Sequence, residues 1–179
     1  MTMGLDVKVS KLMNLGELII KTEIACKELL GMNCCPPLQV KEMKNNKVFE
    51  VNDDLTLEPS TFYVMSLSTV PEDDVSFIVV NLPNSIHNQL DLGSGAWACI
   101  HIQEKKSPVQ FAIAASLAQV IATECQSSIY DERKVWVNQT VTSPEEFKNL
   151  LSVKEKCNNS KKSLKIFYDQ LAGVPIDVE

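Results

Sequence analysis

Cys99 and His101 stand two apart in the apolar run Ala96-Trp97-Ala98-Cys99-Ile100-His101-Ile102. In a strand, that spacing sends both side chains to one face with Trp97, where a thiol and an imidazole could serve as nucleophile and base. Such a pair needs a third group to orient the imidazole, and the neighbouring sequence offers none. A histidine between apolar residues is ordinarily a half-buried strand residue with one nitrogen satisfied, which leaves Cys99 as a small core side chain. Cys26, Cys34 and Cys35 could gather in space, but no C-x-x-C pair exists. With only His87 and His101 to add, a zinc site is hard to build. Gly93-Ser94-Gly95 matches neither a dinucleotide or Walker glycine loop nor a nucleophile elbow, and reads as a hinge. The residues therefore lead us to expect no catalytic group, no metal and no cofactor.

Binding chemistry has more to draw on. Three acidic clusters fall where turns are expected: Asp53-Asp54 with Glu58, Glu72-Asp73-Asp74, and Asp131-Glu132. Each is ordinary solvated charge when taken singly. Brought to one side of the molecule, they would form a negative patch able to cover a cationic active site in another protein. The segment from Leu82 to Gly95 is about as long as unstructured connections become within a domain, and it carries His87, Asn88 and Asp91. The partner-binding residues expected from these features are Asp53, Asp54, Glu72, Asp73, Asp74, His87, Asn88, Asp91 and Asp131.

The totals point the same way. With 179 residues, 45% of them hydrophobic, the chain can bury one core without a metal or disulfide, so residues 1–179 are expected to form a single domain. An excess of 23 Asp+Glu over 17 Lys+Arg gives a net charge of -6. Such a field repels a phosphate backbone and steers basic partners, so nucleic acid is not an expected ligand. The N-terminus shows no basic leader followed by an apolar stretch, and no uninterrupted apolar run reaches the ~18 residues of a membrane span. The expectation is a soluble, cytoplasmic protein with no membrane partner. Its six cysteines are too irregularly spaced for a disulfide framework and are expected to be thiols. Asn138-Gln139-Thr140 and Asn158-Asn159-Ser160 match the glycosylation triplet, which carries meaning only in a secreted chain.

The elements that would position these residues can be read from periodicity and punctuation. Leu12, Leu15, Ile19, Ile20 and Ile24 form an amphipathic stripe that predicts a helix from about Val9 to Leu30, ended by Gly31. After Cys34-Cys35-Pro36-Pro37, strands are predicted around 38–40, 47–51, 61–68, 75–81 and 96–102. Lys44-Asn45-Asn46-Lys47 and Pro71-Glu72-Asp73-Asp74 are read as the turns of hairpins. The strand at 61–67 is apolar on both sides and should be central. Ser107-Pro108-Val109-Gln110 is a capping box opening an alanine-rich helix to residue 126 with almost no polar face, which must lie deep against the sheet. Ser143-Pro144-Glu145-Glu146 is read as a second capping box opening a short helix, and a last helix starts near Ser160. Strands and helices are segregated along the chain, which predicts an α+β fold. Its mainly antiparallel sheet of about five strands should pack against the alanine-rich helix and flanking helices.

The helix from Phe111 to Ile121 and the short strand Ile129-Tyr130-Asp131 resemble the corresponding unit of small bacterial immunity proteins encoded beside polymorphic or contact-dependent toxins. Many of those families have a glycine before the strand, where this chain has Ser127-Ser128. The resemblance implies a cytoplasmic, non-enzymatic inhibitor that neutralises a protein toxin by covering a basic active-site surface. Two other functions fit parts of the sequence. A type III secretion chaperone is also small, acidic and α+β, but the apolar residues here are largely used by a conventional core. A small cytosolic enzyme would use Cys99, His101 or Asp131 under the 82–95 loop and lacks a complete constellation.

Overall fold

The computed structural model describes residues 3–49, 51, 55–82, 95–102 and 107–173. Asp53, Asp54, His87, Asn88 and Asp91 lie outside the described residues.

The chain begins as a strand. Met3, Leu5 and Val7 alternate with Gly4, Asp6 and Lys8, and β1 (Met3–Val9) buries the first set. Helix α1 (Leu15–Leu29) therefore starts later than its apolar stripe suggested, at Asn14, whose side chain accepts the Glu17 N–H at 3.0 Å. Gly31 (φ 60°) ends it as expected, with the Met32 N–H reaching back to the Lys27 carbonyl at 3.0 Å. A side chain at this glycine would meet the Glu155 carbonyl oxygen at 2.7 Å.

Four strands then follow in antiparallel sequence: β2 (Leu38–Glu42), β3 (Val48–Phe49), β4 (Phe62–Leu67) and β5 (Val70–Leu82). The β2–β3 hairpin turns where expected, with Asn46 taking the left-handed conformation. The β4–β5 turn does not. It is made by Ser68-Thr69, and Pro71-Glu72-Asp73-Asp74 lie within β5. Leu67 pairs with Val70 and Met65 with Val75, so residues 71–74 bulge opposite the single residue Ser66. A bulge is where a strand can accept a proline, because no ladder hydrogen bond is asked of it.

β6 (Gly95–Ile102) lies between β5 and β1, and two short strands, β7 (Ile129–Tyr130) and β8 (Val141–Thr142), extend the sheet beyond β1. The order is β3-β2-β4-β5-β6-β1-β7-β8. The fold is α+β with a mainly antiparallel sheet, as expected, but the sheet has eight strands where about five were predicted. β1 was masked by the helix stripe that follows it, and β7 and β8 are too short to show periodicity.

Helix α2 (Pro108–Cys125) has the expected reciprocal capping box between Ser107 and Gln110. The Gln110 side chain is buried and also donates to the Asp74 carbonyl at 2.9 Å, which ties the β5 bulge to the start of α2. Among the described residues α2 is the one helix long and apolar enough to cross a membrane, but 72% of it is buried within the protein. It packs on β1, β5 and β6 and is flanked by α1, α3 (Pro144–Leu151) and α4 (Ser160–Asp169). Ser143 caps α3 through the Glu146 N–H, while the Glu146 carboxylate turns aside to accept from Gln139 at 3.0 Å.

Asp131 does not stand in a solvated turn. It is 1% exposed, and its carboxylate accepts the backbone N–H groups of Val135, Trp136 and Val137 at 3.0, 2.7 and 3.1 Å. Burial pushes this carboxyl above its ordinary value, against the pull of those donors. The bonds fold residues 131–137 into a tight loop that delivers Trp136 to α2, where its indole N–H donates to the Phe111 carbonyl at 3.3 Å. Gly173 seals the loop: its N–H donates to the Val135 carbonyl at 3.0 Å, and an added Cβ would lie 2.7 Å from the Lys134 carbonyl oxygen.

Removing the carboxylate leaves three buried N–H groups without acceptors. Asp131→Ala should therefore cost about 3 kcal/mol, lowering Tm by roughly 6 to 12 °C in a thermal melt. A Tm within about 1 °C of wild type would show that the loop holds without it.

Candidate functional site

The helices lie on one face of the sheet. Inner-face residues such as Leu5, Val7, Phe77, Val79, Ala98 and Ile100 are fully buried beneath them. The strand registers define what the other face carries. One transverse row runs Val48, Lys41, Val64, Ser76, His101, Gly4 across six strands. A second runs Phe62, Ile78, Cys99, Asp6, Tyr130, Val141, also across six strands. Phe62 is 56% exposed, Val48 and Val141 are each 47% exposed, and Ile78, Val80, Tyr130, Cys99 and His101 are half-buried. Trp97 sits in the same face, buried, with the Tyr130 ring edge-on at 5.1 Å. A face of aromatic and aliphatic residues interspersed with a few polar ones, which no described helix covers although Val64 and Ser66 of β4 are buried in it, has the composition of a protein-binding surface.

Cys99 and His101 do project to one side with Trp97, as their spacing predicts. The third group they lacked in sequence comes from β1. Asp6 pairs with Cys99 and lies diagonally from His101. The His101 ring occupies space left by Gly4, where a Cβ would come within 2.8 Å of Nδ1. Gly4, Asp6 and His101, with Glu132 and Arg133 from the loop after β7, line a polar notch of about 160 Å³.

The electrostatics of this notch favour holding a group over attacking one. Burial raises the Asp6 carboxyl above its ordinary value; the Cys99 hydrogen bond and His101 pull it down, and Glu132 adds to the rise. Burial, with the charge and hydrogen bond of Asp6, pushes the Cys99 thiol up to about 12. A thiol so held is almost never a thiolate near neutral pH, so the arrangement disables Cys99 as a nucleophile. What remains is a recess with two carboxylates, one guanidinium and one imidazole, suited to a cationic or hydrogen-bonding side chain presented by another molecule.

The expected acidic patch is not assembled among the described residues. Glu72, Asp73 and Asp74 lie at the bulge of β5 near the start of α2, Asp131 is interior, and of its cluster only Glu132 reaches the notch. Asp6, Arg133, Phe62, Ile78 and Tyr130 were not anticipated as surface residues of a site. The alternation in residues 3–9 is the signal that could have placed Asp6.

Comparison of the chain with protein-family models, with curated proteins and with solved structures gives no match.

The negative charge of Asp6 can be removed while its size is kept. In Asp6→Asn, alkylation of Cys99 by iodoacetamide at neutral pH should accelerate about tenfold, since each unit of thiol pKa is tenfold in thiolate. An unchanged rate would mean that Asp6 does not hold the thiol. The same variant tests pH dependence. A carboxyl raised in the fold binds its proton more tightly there than in the unfolded chain, so its contribution to stability grows as pH falls through the raised value and is lost as pH rises through it. In urea melts, wild type should gain on Asp6→Asn between neutral pH and the ordinary Asp value of 3.8. A gap that is constant with pH would contradict this.

Proposed function

We propose that the protein is a non-catalytic inhibitor of the immunity type, which binds a protein toxin through the sheet face opposite the described helices and covers the toxin's active site. The observation that carries this reading is the asymmetry of the sheet. Among the described residues, a sheet of eight strands buries one face under four helices and carries on the other two continuous rows of mixed apolar and polar side chains. A rigid sheet face suits inhibition, because little conformational freedom is lost when it is covered.

Chemistry on that face supports the same reading. Phe62, Ile78 and Tyr130 supply apolar and aromatic contacts of the kind that dominate binding energy, and the Asp6–Glu132 notch supplies an acceptor for a basic side chain. The net charge of -6 favours encounter with a basic surface. Of the alternatives, the enzymatic one is weakened at Cys99, whose thiol is held protonated.

The test starts with co-purification of the intact chain with its partner from the organism that carries it, followed by assay of the isolated partner's toxicity with and without the chain. Toxicity abolished by a 1:1 complex that weakens with added salt supports the proposal. Phe62→Asp alters an exposed side chain of the sheet face and should weaken the complex at least about tenfold, or ~1.4 kcal/mol, while leaving Tm unchanged. Leu150→Asp, on α3 and likewise exposed, should have no effect. The reverse result would place binding on the helical side and overturn the assignment of the face. A bound protein whose activity the chain does not reduce would overturn the inhibitory role.

A further inference from the structure

On the helical side of the sheet, α1, α2, α4 and the β4–β5 hairpin enclose an apolar cavity of about 250 Å³, lined by residues that include Leu30, Leu67 and Ile113. Two thiols line it. Cys26 comes from the last turn of α1 and is buried; Cys35 comes from the segment after α1 and is partly exposed. Their side chains lie close enough to interact, although they are separated by a helix end and a loop.

The loop is built to hold them together. At its start, Met32 bridges to Cys157, and the Cys157 N–H donates to the Gly31 carbonyl at 3.1 Å. At its end, the Leu38 N–H donates to the Glu23 carboxylate of α1 at 2.7 Å, and the Pro37 carbonyl accepts from Ser68 at 2.8 Å. Pro36 and Pro37 stiffen the interval between these anchors. Ser163 of α4 also donates to the Leu30 carbonyl at the end of α1. Cys35 is thus returned to α1 by fixed backbone, while its neighbour Cys34 is left exposed.

We propose that Cys35 and Cys26 form a redox-active dithiol at the mouth of this cavity, which exchanges with small disulfides and closes as an intramolecular disulfide. The division of roles follows from position. Cys35 meets solutes, and Cys26 lies behind it. The S–H of Cys26 donated to Cys35 favours a thiolate on Cys35, outweighing burial and the Glu23 charge, and the same bond together with burial keeps Cys26 protonated.

In the first step the Cys35 thiolate attacks one sulfur of the small disulfide, forming a mixed disulfide and expelling one thiolate. In the second, Cys26 gives its proton to that leaving group or to water and attacks the Cys35 sulfur, expelling the second thiol. The protein loses two protons and two electrons, and the small disulfide is reduced to two thiols. The new bond staples α1 to the entry of β2. This site lies across the sheet from the proposed binding face and does not depend on that reading.

The probe is glutathione disulfide added to the intact, reduced protein, followed by intact mass and peptide mapping. The expected product loses the mass of two hydrogens and contains a Cys26–Cys35 linked peptide. In Cys26→Ser, which keeps a donor for Cys35 but cannot complete the second step, a glutathione adduct should accumulate on Cys35, forming about tenfold faster than any adduct on Cys34. In Cys35→Ser no intramolecular bond should form, and Cys34→Ser should behave as wild type. Should Cys26→Ser not fold, the wild-type map and the Cys34→Ser comparison still decide. A Cys34–Cys35 bond, adducts confined to Cys34, or no reaction of Cys35 in folded protein would overturn the proposal.

Discussion

Helix α2 has no polar stripe, so water has to be excluded from it on every side, and the placement of the other elements follows from that demand. The sheet covers one side through β1, β5 and β6; α1, α3 and α4 flank it. Alanines and Ser116 allow close approach along much of its length, while Phe111, Leu117 and Ile121 fill the gaps. The Asp131 loop completes the enclosure. It sets Trp136 against Phe111, with ring centroids 5.3 Å apart, while Tyr168 of α4 meets the same phenylalanine edge-on at 5.6 Å. A buried carboxylate that braces its own loop thus shapes part of the wall around the helix.

Gathering the helices around α2 places them on one side of the sheet, and this asymmetry creates the surface to which function is assigned. A sheet covered on both faces would need apolar residues throughout its central strands. Beyond Phe62, β4 is buried on both faces, but β1 and β6 alternate between buried residues facing α2 and, Trp97 apart, half-buried or exposed ones facing away, so the second face can carry Asp6, Cys99 and His101 at no cost to the core. Cross-strand register, which no local sequence feature encodes, then brings Gly4, Asp6 and His101 together in a notch that Glu132 and Arg133 complete.

Much of the helical architecture was legible because its signals are local. Ser107 with Gln110, Ser143 before Pro144, and Gly31 after α1 each mark an end through hydrogen bonds made within a few residues. The alanine-rich run of α2 revealed its burial by composition alone. The sheet was legible in class but not in extent. β1 reads as alternation over seven residues and competes with the helical stripe beside it, and β7 and β8 are two residues each, held by tertiary pairing. Pro71 to Asp74 have the composition of a turn and lie in a bulge, because the actual turn at Ser68-Thr69 carries a weaker signal. Asp131 was misread for a deeper reason. A carboxylate in a loop looks solvated unless its acceptor bonds are known, and those come from residues 135–137 closing back on it.

The cysteines show how far environment outweighs residue type. Cys99 lies beside a carboxylate that accepts its proton as a hydrogen bond and whose charge resists a second negative charge. Cys35 lies beside another thiol, which donates to it and carries no charge of its own. Sequence offered Cys99 as the more suggestive of the two, since it alone had a histidine nearby. Three-dimensional pairing inverts the order, because the partner that decides a thiol's fate is the one in contact with its sulfur. For Cys99 that partner arrives from β1, 93 positions earlier in the chain, and for Cys35 it arrives from α1 through a loop fixed at both ends. The sheet face and the dithiol are accordingly separate consequences of the same arrangement: α1 and its following loop are packed against α2, on the one side of the sheet where the described helices gather.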